Sequence, residues 1–389
     1  MRMLLDGTKG APAQLGNVLV LGLGVSGKAA ARYCASLVGS RIDRLFIAAG
    51  ARNSDSEEFV RSLASDGVDY AFGDDALAGL EGRFDVCIAS PGIPYYHELY
   101  QGALALSDEV VSEVEFSWRE SALDSTWVAI TGTNGKTTTT SCAAHILQKA
   151  GLAASAVGNI GEVCLDAVSA GKTKVYVCEV SSYQLYSTSK FAPDVAVMLN
   201  ITPDHLHWHR TLEAYRDAKF KMLDNMRPDR IEAPSTRPVA ILDATNDVVR
   251  AKVREIKALA PDERGFDYVP MGTKAGLSGD MRAACGADNA AFINGDGRLT
   301  VAFRGVEHDL GNADNLQIKG LHNASNALAA GAVAVALGVD DDAIASALAS
   351  FEPLEHRIEP CGSVAGIACY NDSKATNVDA TVKALGAFP

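Results

Sequence analysis

The chain has 389 residues, 48% of them hydrophobic and 21% charged, the balance of a globular protein with room for two or three packed cores. Its 35 Lys and Arg against 48 Asp and Glu leave a net charge of −13, which argues against a general nucleic-acid binder or a binder of anionic membranes, so anionic ligands need local traps such as helix N-termini and single lysines. No run approaches the ~18 apolar residues of a membrane span, the N-terminus lacks the apolar core of a signal peptide, and eight scattered cysteines without a C-x-x-C pair read as buried free thiols of a cytoplasmic protein.

The first pattern in chain order is "NVLVLGLGVSGKAAARYCASL". Val18–Leu21 read as a strand, Gly22, Gly24 and Gly27 as a G-x-G-x-x-G turn, and Ala29–Leu37 as a helix. Shorter strands follow at "RLFIAA" and "FDVCIASPG", which predicts alternating β/α units around a parallel sheet. A nicotinamide dinucleotide requires an acidic residue at the end of the second strand, about 20 residues on. Ala48, Ala49 and Gly50 stand there, so an NAD-dependent oxidoreductase is disfavoured. What remains is a helix N-terminus open to a phosphate, with a second exposed turn at Ser90–Pro94. The plainer alternative is that these glycines only permit close strand–helix packing. A boundary falls near Trp118.

The second block opens with "AITGTNGKTTTTS". Its backbone N–H groups and helix N-terminus suit phosphate oxygens, Lys136 suits the β- and γ-phosphates, and the Thr137 hydroxyl suits Mg²⁺. The general phosphate loop has glycine five positions before Gly135; here that position is Ile130, and Gly132 makes a shorter cradle. A helix is predicted from Lys136 to Ala150. Strands at "VYVCEVSS", "VAVMLN" and "PVAILDAT" follow, apolar enough for a sheet buried on both faces. "AAFINGDGRLTVAFRGVEHDL" reads as a β-hairpin added to that unit. Strand ends are where open α/β sheets place ligands: Glu179 ends one strand, Asp204, His205, His207 and His209 follow another, and Asn323 and Asn326 begin the small-residue helix "HNASNALAAGAVAVALG". Three histidines within five residues suit zinc when taken alone; beside a phosphate loop, Mg²⁺ held by few carboxylates plus phosphate is the stronger reading. "FEPLEHR" reads as a linker, and two short strands and a helix close the chain. No internal repeat is evident.

"GTNGKTTTT", "EVSSYQL", "LNITPDHLHWH", "HNASNALAA", "EHR" and "NDSKATN" occur in the order found in the Mur ligases of peptidoglycan synthesis, and the sequence resembles that family over roughly residues 17–389. "SSYQL", "GNIG" and "NDSKATN" are most similar to its D-glutamate-adding branch. The resemblance implies an α/β chain with a Rossmann-like N-terminal domain (1–118) for the UDP substrate, a central P-loop ATPase-like domain with a parallel sheet (119–353), and the start of a third Rossmann-like domain (354–389). It implies ATP and two Mg²⁺ ions, and as substrates UDP-N-acetylmuramoyl-L-alanine and D-glutamate, joined in the cytoplasm by a monomer through an acyl phosphate. Carried over residue by residue, Gly132, Thr133, Asn134, Gly135, Lys136, Thr137, Thr138 and Thr139 form the ATP cradle. Asn323, Asn326, Arg357, Asp372 and Lys374 lie along the nucleotide. Gly24, Val25, Ser26, Gly27, Ser90, Pro91, Gly92 and Asn159 hold the UDP substrate, and Thr376 lies near D-glutamate. Thr137, Glu179, His205 and a carbamylated Lys219 serve the metals, and Lys136, Glu179, His205 and Lys219 carry catalysis.

Two departures stand out. His207 and Trp208 occupy positions where the family has aspartate and arginine. Only 32 residues follow Arg357, where the family carries a complete small α/β domain, so the resemblance implies a C-terminally truncated chain. The expectation is a tail beyond Arg357 that is poorly ordered or held only by docking on the second domain, and inefficient ligation. The alternatives are a non-catalytic nucleotide- or UDP-sugar-binding fragment and a ligase adding another amino acid.

Overall fold

Val18, Leu19, Val20 and Leu21 are all fully buried. A strand whose successive side chains point to opposite faces can bury every residue only if both faces are covered. That is the arrangement found in the structure, a computed structural model that describes residues 3–63, 67–227, 237–272, 288–375 and 378–386. The first unit runs β1 (Gly16–Leu21), α1 (Val25–Ala35), β2 (Ile42–Ala49), α2 (Ser54–Ser62), β3 (Val68–Phe72), β4 (Val86–Ala89), α3 (Glu98–Leu106), β5 (Val110–Ser112) and α4 (Glu113–Glu120). Its sheet has the order β3-β2-β1-β4-β5 with every pair parallel. Val18 and Val20 pack on one face with Ala30, Ala31 and Cys34; Leu19 and Leu21 pack on the other with Leu99 and Ala103.

α1 begins at Val25, earlier than the sequence pattern suggests. The turn closes quickly because Gly27 lies against the Gly22 carbonyl, where a β-carbon would collide. Glycine and serine are weak helix formers, which hid this first turn.

The second unit holds β6 (Thr126–Thr131), α5 (Lys136–Lys149), β7 (Ala154–Gly158), α6 (Cys164–Ala170), β8 (Val175–Glu179), α7 (Ser182–Tyr186), β9 (Val195–Met198), α8 (Leu206–His209), α9 (Leu212–Phe220), β10 (Val239–Asp243), α10 (Asp247–Ala258), α11 (Pro261–Arg264), β11 (Asp267–Gly272), β12 (Ala290–Ile293), β13 (Arg298–Phe303), β14 (Val306–Asn312), α12 (Leu321–Ala336) and α13 (Asp341–Ser350). The nine strands follow the order β14-β13-β12-β11-β10-β9-β6-β8-β7. Pairing is parallel from β7 across to β12 and antiparallel at β12–β13 and β13–β14. The expected hairpin is therefore not a separate ornament: it continues the same sheet. The alanine-rich α12 packs closely beside α5, and both cover one face.

The two units are tied by buried charge. Arg119 on α4 pairs with Glu109 and Glu115, and Glu115 accepts the backbone N–H groups of Ser189 and Lys190 in the second unit. Glu113 accepts the Leu165 N–H at 2.7 Å, joining α4 to the start of α6. After the linker, β15 (Glu359–Val364) and β16 (Ile367–Asn371) form their own antiparallel pair, followed by α14 (Val378–Leu385). No helix among the described residues is long and apolar enough to cross a membrane.

Candidate active site

β6, β8, β9 and β10 are adjacent in the sheet and end on one side, where a cleft of about 1030 Å³ opens. Its floor is the loop from β6 into α5. Gly135 caps α5 with φ +87°, and a β-carbon there would strike Asn326 Oδ1. Only glycine meets both demands, and the result is a turn with the α5 N-terminus facing the cleft.

Side chains from neighbouring strand ends hold this loop. Thr133 N–H donates to the Asn200 carbonyl at 2.7 Å, and its hydroxyl lies 3.0 Å from the Tyr215 hydroxyl. Asn134 N–H donates to Asn200 Oδ1 at 2.8 Å, while Asn200 Nδ2 returns a bond to the Asn134 carbonyl at 3.0 Å. Asn200 thus clamps the loop tip. The sequence reading gave it no role, although its place at the end of the apolar run "VMLN" was the available signal. Thr138 and Thr139 are buried in the first turn of α5, and Thr139 Oγ1 donates to Asn326 Oδ1 at 3.3 Å. Asn326 in turn donates to Asn323 at 3.2 Å.

Lys136 Nζ donates to the carbonyls of Gly132 (3.0 Å) and Thr133 (2.8 Å), so the ammonium sits over its own loop. Burial lowers its pKa, and the charges of Glu179 and Asp204 oppose that shift. Thr137 Oγ1 donates to Glu179 Oε2 at 2.8 Å, Asn159 Nδ2 donates to Glu179 Oε1 at 2.8 Å, and Arg357 Nη2 donates to Thr137 Oγ1 at 2.8 Å. Four expected site residues, drawn from well-separated segments, therefore form one chain of contacts. Asp372 and Lys374 also line the cleft, as do Asp243 and Thr245 from the end of β10, which the sequence reading did not single out. Thr376 lies outside the described residues.

The three histidines do not converge. His209 is buried and its Nε2 lies 2.9 Å from Ser182 Oγ. His205 faces the cleft beside Asp204, and burial, followed by Lys136, Lys219 and His207, lowers its pKa despite Asp204. Among the described residues no group of three or more His, Cys, Asp and Glu is placed to hold a metal. The Thr137 hydroxyl and the Glu179 carboxylate at the mouth of a phosphate cradle are oxygen donors that suit Mg²⁺, which keeps waters and phosphate oxygens as its remaining ligands, while His205 lines the same cleft.

Burial pushes the His209 imidazole down to about 4 from 6.5. The unfolded chain therefore takes up this proton first as pH falls. The contribution of neutral His209 is complete above pH 6.5 and is lost as pH falls towards about 4, at up to about 1.4 kcal/mol per pH unit. Urea unfolding of His209→Gln should show a flatter stability profile through this window than the parent; parallel profiles would contradict the assignment.

In the first unit, Gly24 caps α1 and has open space around it, and Ser90 packs against Gly22 and Gly27 with its hydroxyl buried and without a hydrogen-bond partner among the described residues. Gly92 is likewise open. The two turns expected to hold the UDP substrate therefore meet at the ends of β1 and β4, which are neighbours in the sheet.

Fold and cleft together define a class: an α/β protein in which a Rossmann-like unit is joined to a unit with a P-loop-type phosphate cradle. The family model described as the Mur ligase middle domain matches residues 130–334. The UDP-N-acetylmuramoylalanine–D-glutamate ligase of a Thermoanaerobacter species is 35% identical over 373 residues, covering 95% of this chain and 74% of that protein. The protein of the same name from Streptococcus uberis is 33% identical over 372 residues, with the same coverage of each chain, 95% and 74%. Among solved structures, a murein peptide ligase from Psychrobacter arcticus shares the fold at TM-score 0.52 and 20% identity, over 95% of this chain and 75% of that one. A pseudomurein peptide ligase type C from Methanothermus fervidus does so at TM-score 0.51 and 19% identity, over 96% and 77%. The chain belongs to the Mur ligase family.

Proposed function

We propose that the chain is an ATP-dependent ligase of cytoplasmic peptidoglycan precursor synthesis that joins D-glutamate to UDP-N-acetylmuramoyl-L-alanine. The chemical problem is that a carboxylate is a poor electrophile with a poor leaving group. Transfer of the ATP γ-phosphoryl group to the carboxylate oxygen gives an acyl phosphate and ADP. The D-glutamate amine then attacks the acyl carbon, the C–N bond forms, and phosphate and a proton depart. A site for this needs to position groups and neutralise charge. Residues 1–118 would hold the UDP substrate through Gly24–Gly27 and Ser90–Gly92, with Asn159 of the second unit contributing from across the cleft. Residues 119–353 would hold ATP on Gly132–Thr139, Asn323 and Asn326. Residues 354–389 would bring Arg357, Asp372 and Lys374 to the nucleotide and Thr376 towards D-glutamate. Thr137, Glu179 and His205 would hold Mg²⁺, which supplies charge neutralisation at phosphate oxygens when bound.

The observation that carries this reading is the chain of contacts Asn159–Glu179–Thr137–Arg357, which brings the substrate-side, metal-side and third-segment residues to one cleft. The test is amide formation, with phosphate release that depends on D-glutamate and not on other amino acids. Phosphate release with another amino acid alone would move the chain to a different branch. Nucleotide and UDP-sugar binding without any amide product would leave a binding fragment.

The first unit gives a separate expectation. Its second strand ends in Ala48 and Ala49, without the acid that grips a dinucleotide ribose. Calorimetric titration should therefore show saturable UDP binding and no saturable NAD binding. Tight NAD binding with no response to UDP would overturn the substrate-site assignment.

A further inference from the structure

α8 has only four residues, and both of its flanking residues are non-glycine residues in the left-handed region: His205 at φ +53° and Arg210 at φ +69°. So short a helix has no stability of its own, and left-handed backbone at such residues persists only where the surroundings impose it. The restraints come from Tyr95 and Tyr96 of the first unit and from α7 of the second. Trp208 is buried with its ring centroid 5.4 Å from Tyr95, 4.9 Å from Tyr183 and 5.1 Å from Tyr186. Tyr95 itself stacks on Tyr186 at 5.0 Å. The Tyr96 hydroxyl donates to the His207 carbonyl at 3.0 Å, and the Arg210 guanidinium lies 3.9 Å above the Tyr96 ring. The Trp208 indole N–H has no partner among the described residues, so the ring and not its polar edge accounts for the residue.

We propose that Trp208, Tyr95 and Tyr96 form an aromatic latch between the two units, and that they act as positioning residues which set His205. The inference rests on the reading of His205 as a magnesium ligand. Tyr95 and Tyr96 follow the Ser90–Pro94 turn on the same loop, so the latch couples the substrate turn of the first unit to the metal side of the second. Trp208 makes three of these six contacts.

The test uses the full chain and the variants Trp208→Ala, Trp208→Phe and Tyr96→Ala. Hydrogen exchange is followed in the ligand-free protein, where the Trp208, His209 and Arg210 amides are bonded to His205 and Leu206 carbonyls. Trp208→Ala and Tyr96→Ala should speed exchange of these amides about tenfold while the α5 amides keep the parent rate. The Mg²⁺ concentration that half-saturates ATP binding should rise by about tenfold, the scale of a lost outer-sphere partner. Trp208→Phe should restore most of both properties. Unchanged exchange at α8, or faster exchange throughout the chain, would overturn the latch. Faster exchange at α8 with parent magnesium dependence, when Glu179→Ala does raise that dependence, would overturn the positioning of His205. If Glu179→Ala also leaves magnesium dependence unchanged, the magnesium reading fails, and this inference falls with it.

Discussion

Replacing Lys136 by alanine is expected to remove detectable Mg-ATP binding and to leave the fold intact. The ammonium sits over the loop that would surround the phosphates, held by two backbone carbonyls, Gly132 and Thr133. A bound phosphate offers stronger acceptors than those carbonyls, and charge-assisted bonds of this kind contribute about 1.5–3 kcal/mol each. Losing two corresponds to a loss in affinity of roughly 100-fold or more. The variant should still fold, because Asn200, Thr133 and Tyr215 hold the loop through bonds that do not involve the lysine. Burial already penalises the charged amine, so its removal relieves a desolvation cost as well as deleting two bonds. Calorimetric titration of Mg-ATP, with thermal unfolding as the control, decides the matter. Parent-like affinity in a folded Lys136→Ala protein would remove Lys136 from the nucleotide site.

The alternating β/α pattern of both units was legible from β1, β2, β4, β8, β9 and β10, short apolar runs largely buried on both faces, whereas β3 (Val68–Phe72) and β5 (Val110–Ser112) were not read as strands. The phosphate cradle was legible because Gly135 and Lys136 have one steric and one electrostatic task, and few other residues perform them. What escaped were relations between segments. Asn200 gave no separate signal, since an asparagine after a strand is equally a turn residue; its role exists only because β9 lies beside β6. The edge strand β7 and the interior strand β11 escaped because "ASAVG" and "DYVPMG" contain residues that weaken a strand pattern. Trp208 and Tyr95 are 113 positions apart by number, and no periodicity links them. The histidine triplet was ambiguous as a pattern, and the fold separated it by turning His209 to Ser182 and leaving His205 at the cleft.

Lys219→Met is expected to lose phosphoryl transfer by on the order of 100-fold or more, the scale seen when one oriented charge at a developing transition state is removed. The plain reading of a lysine on "LEAYRDAKFKML" is a solvated helix residue, and the structure excludes it: Lys219 is 1% exposed. Its Nζ donates to the Gly132 carbonyl at 2.8 Å and to Thr131 Oγ1 at 3.2 Å, and it lies 4.8 Å from the Tyr215 ring centroid. Its amine therefore sits at the back of the phosphate cradle. Burial, followed by the nearby Lys136 charge, holds its pKa well below the usual lysine value, although Asp204 and Glu179 pull the other way. A buried amine of this kind spends more of its time unprotonated. The neutral nitrogen can attack CO₂: an N–C bond forms, a proton leaves, and the product is a carbamate anion whose oxygens suit Mg²⁺. We propose this modified state for Lys219. Methionine fills the same space without titrating, so a large fall in stability is not expected to obscure the result. Three readings then separate the possibilities. The parent protein should take up isotopically labelled bicarbonate and the variant should not. Turnover by the parent should fall when CO₂ is depleted. A short added carboxylate should restore part of the activity of Lys219→Ala, where the shortened side chain leaves it room. An alanine or methionine variant with parent-like turnover that is indifferent to bicarbonate and to added carboxylate would refute the carbamate and return Lys219 to a structural role behind the loop.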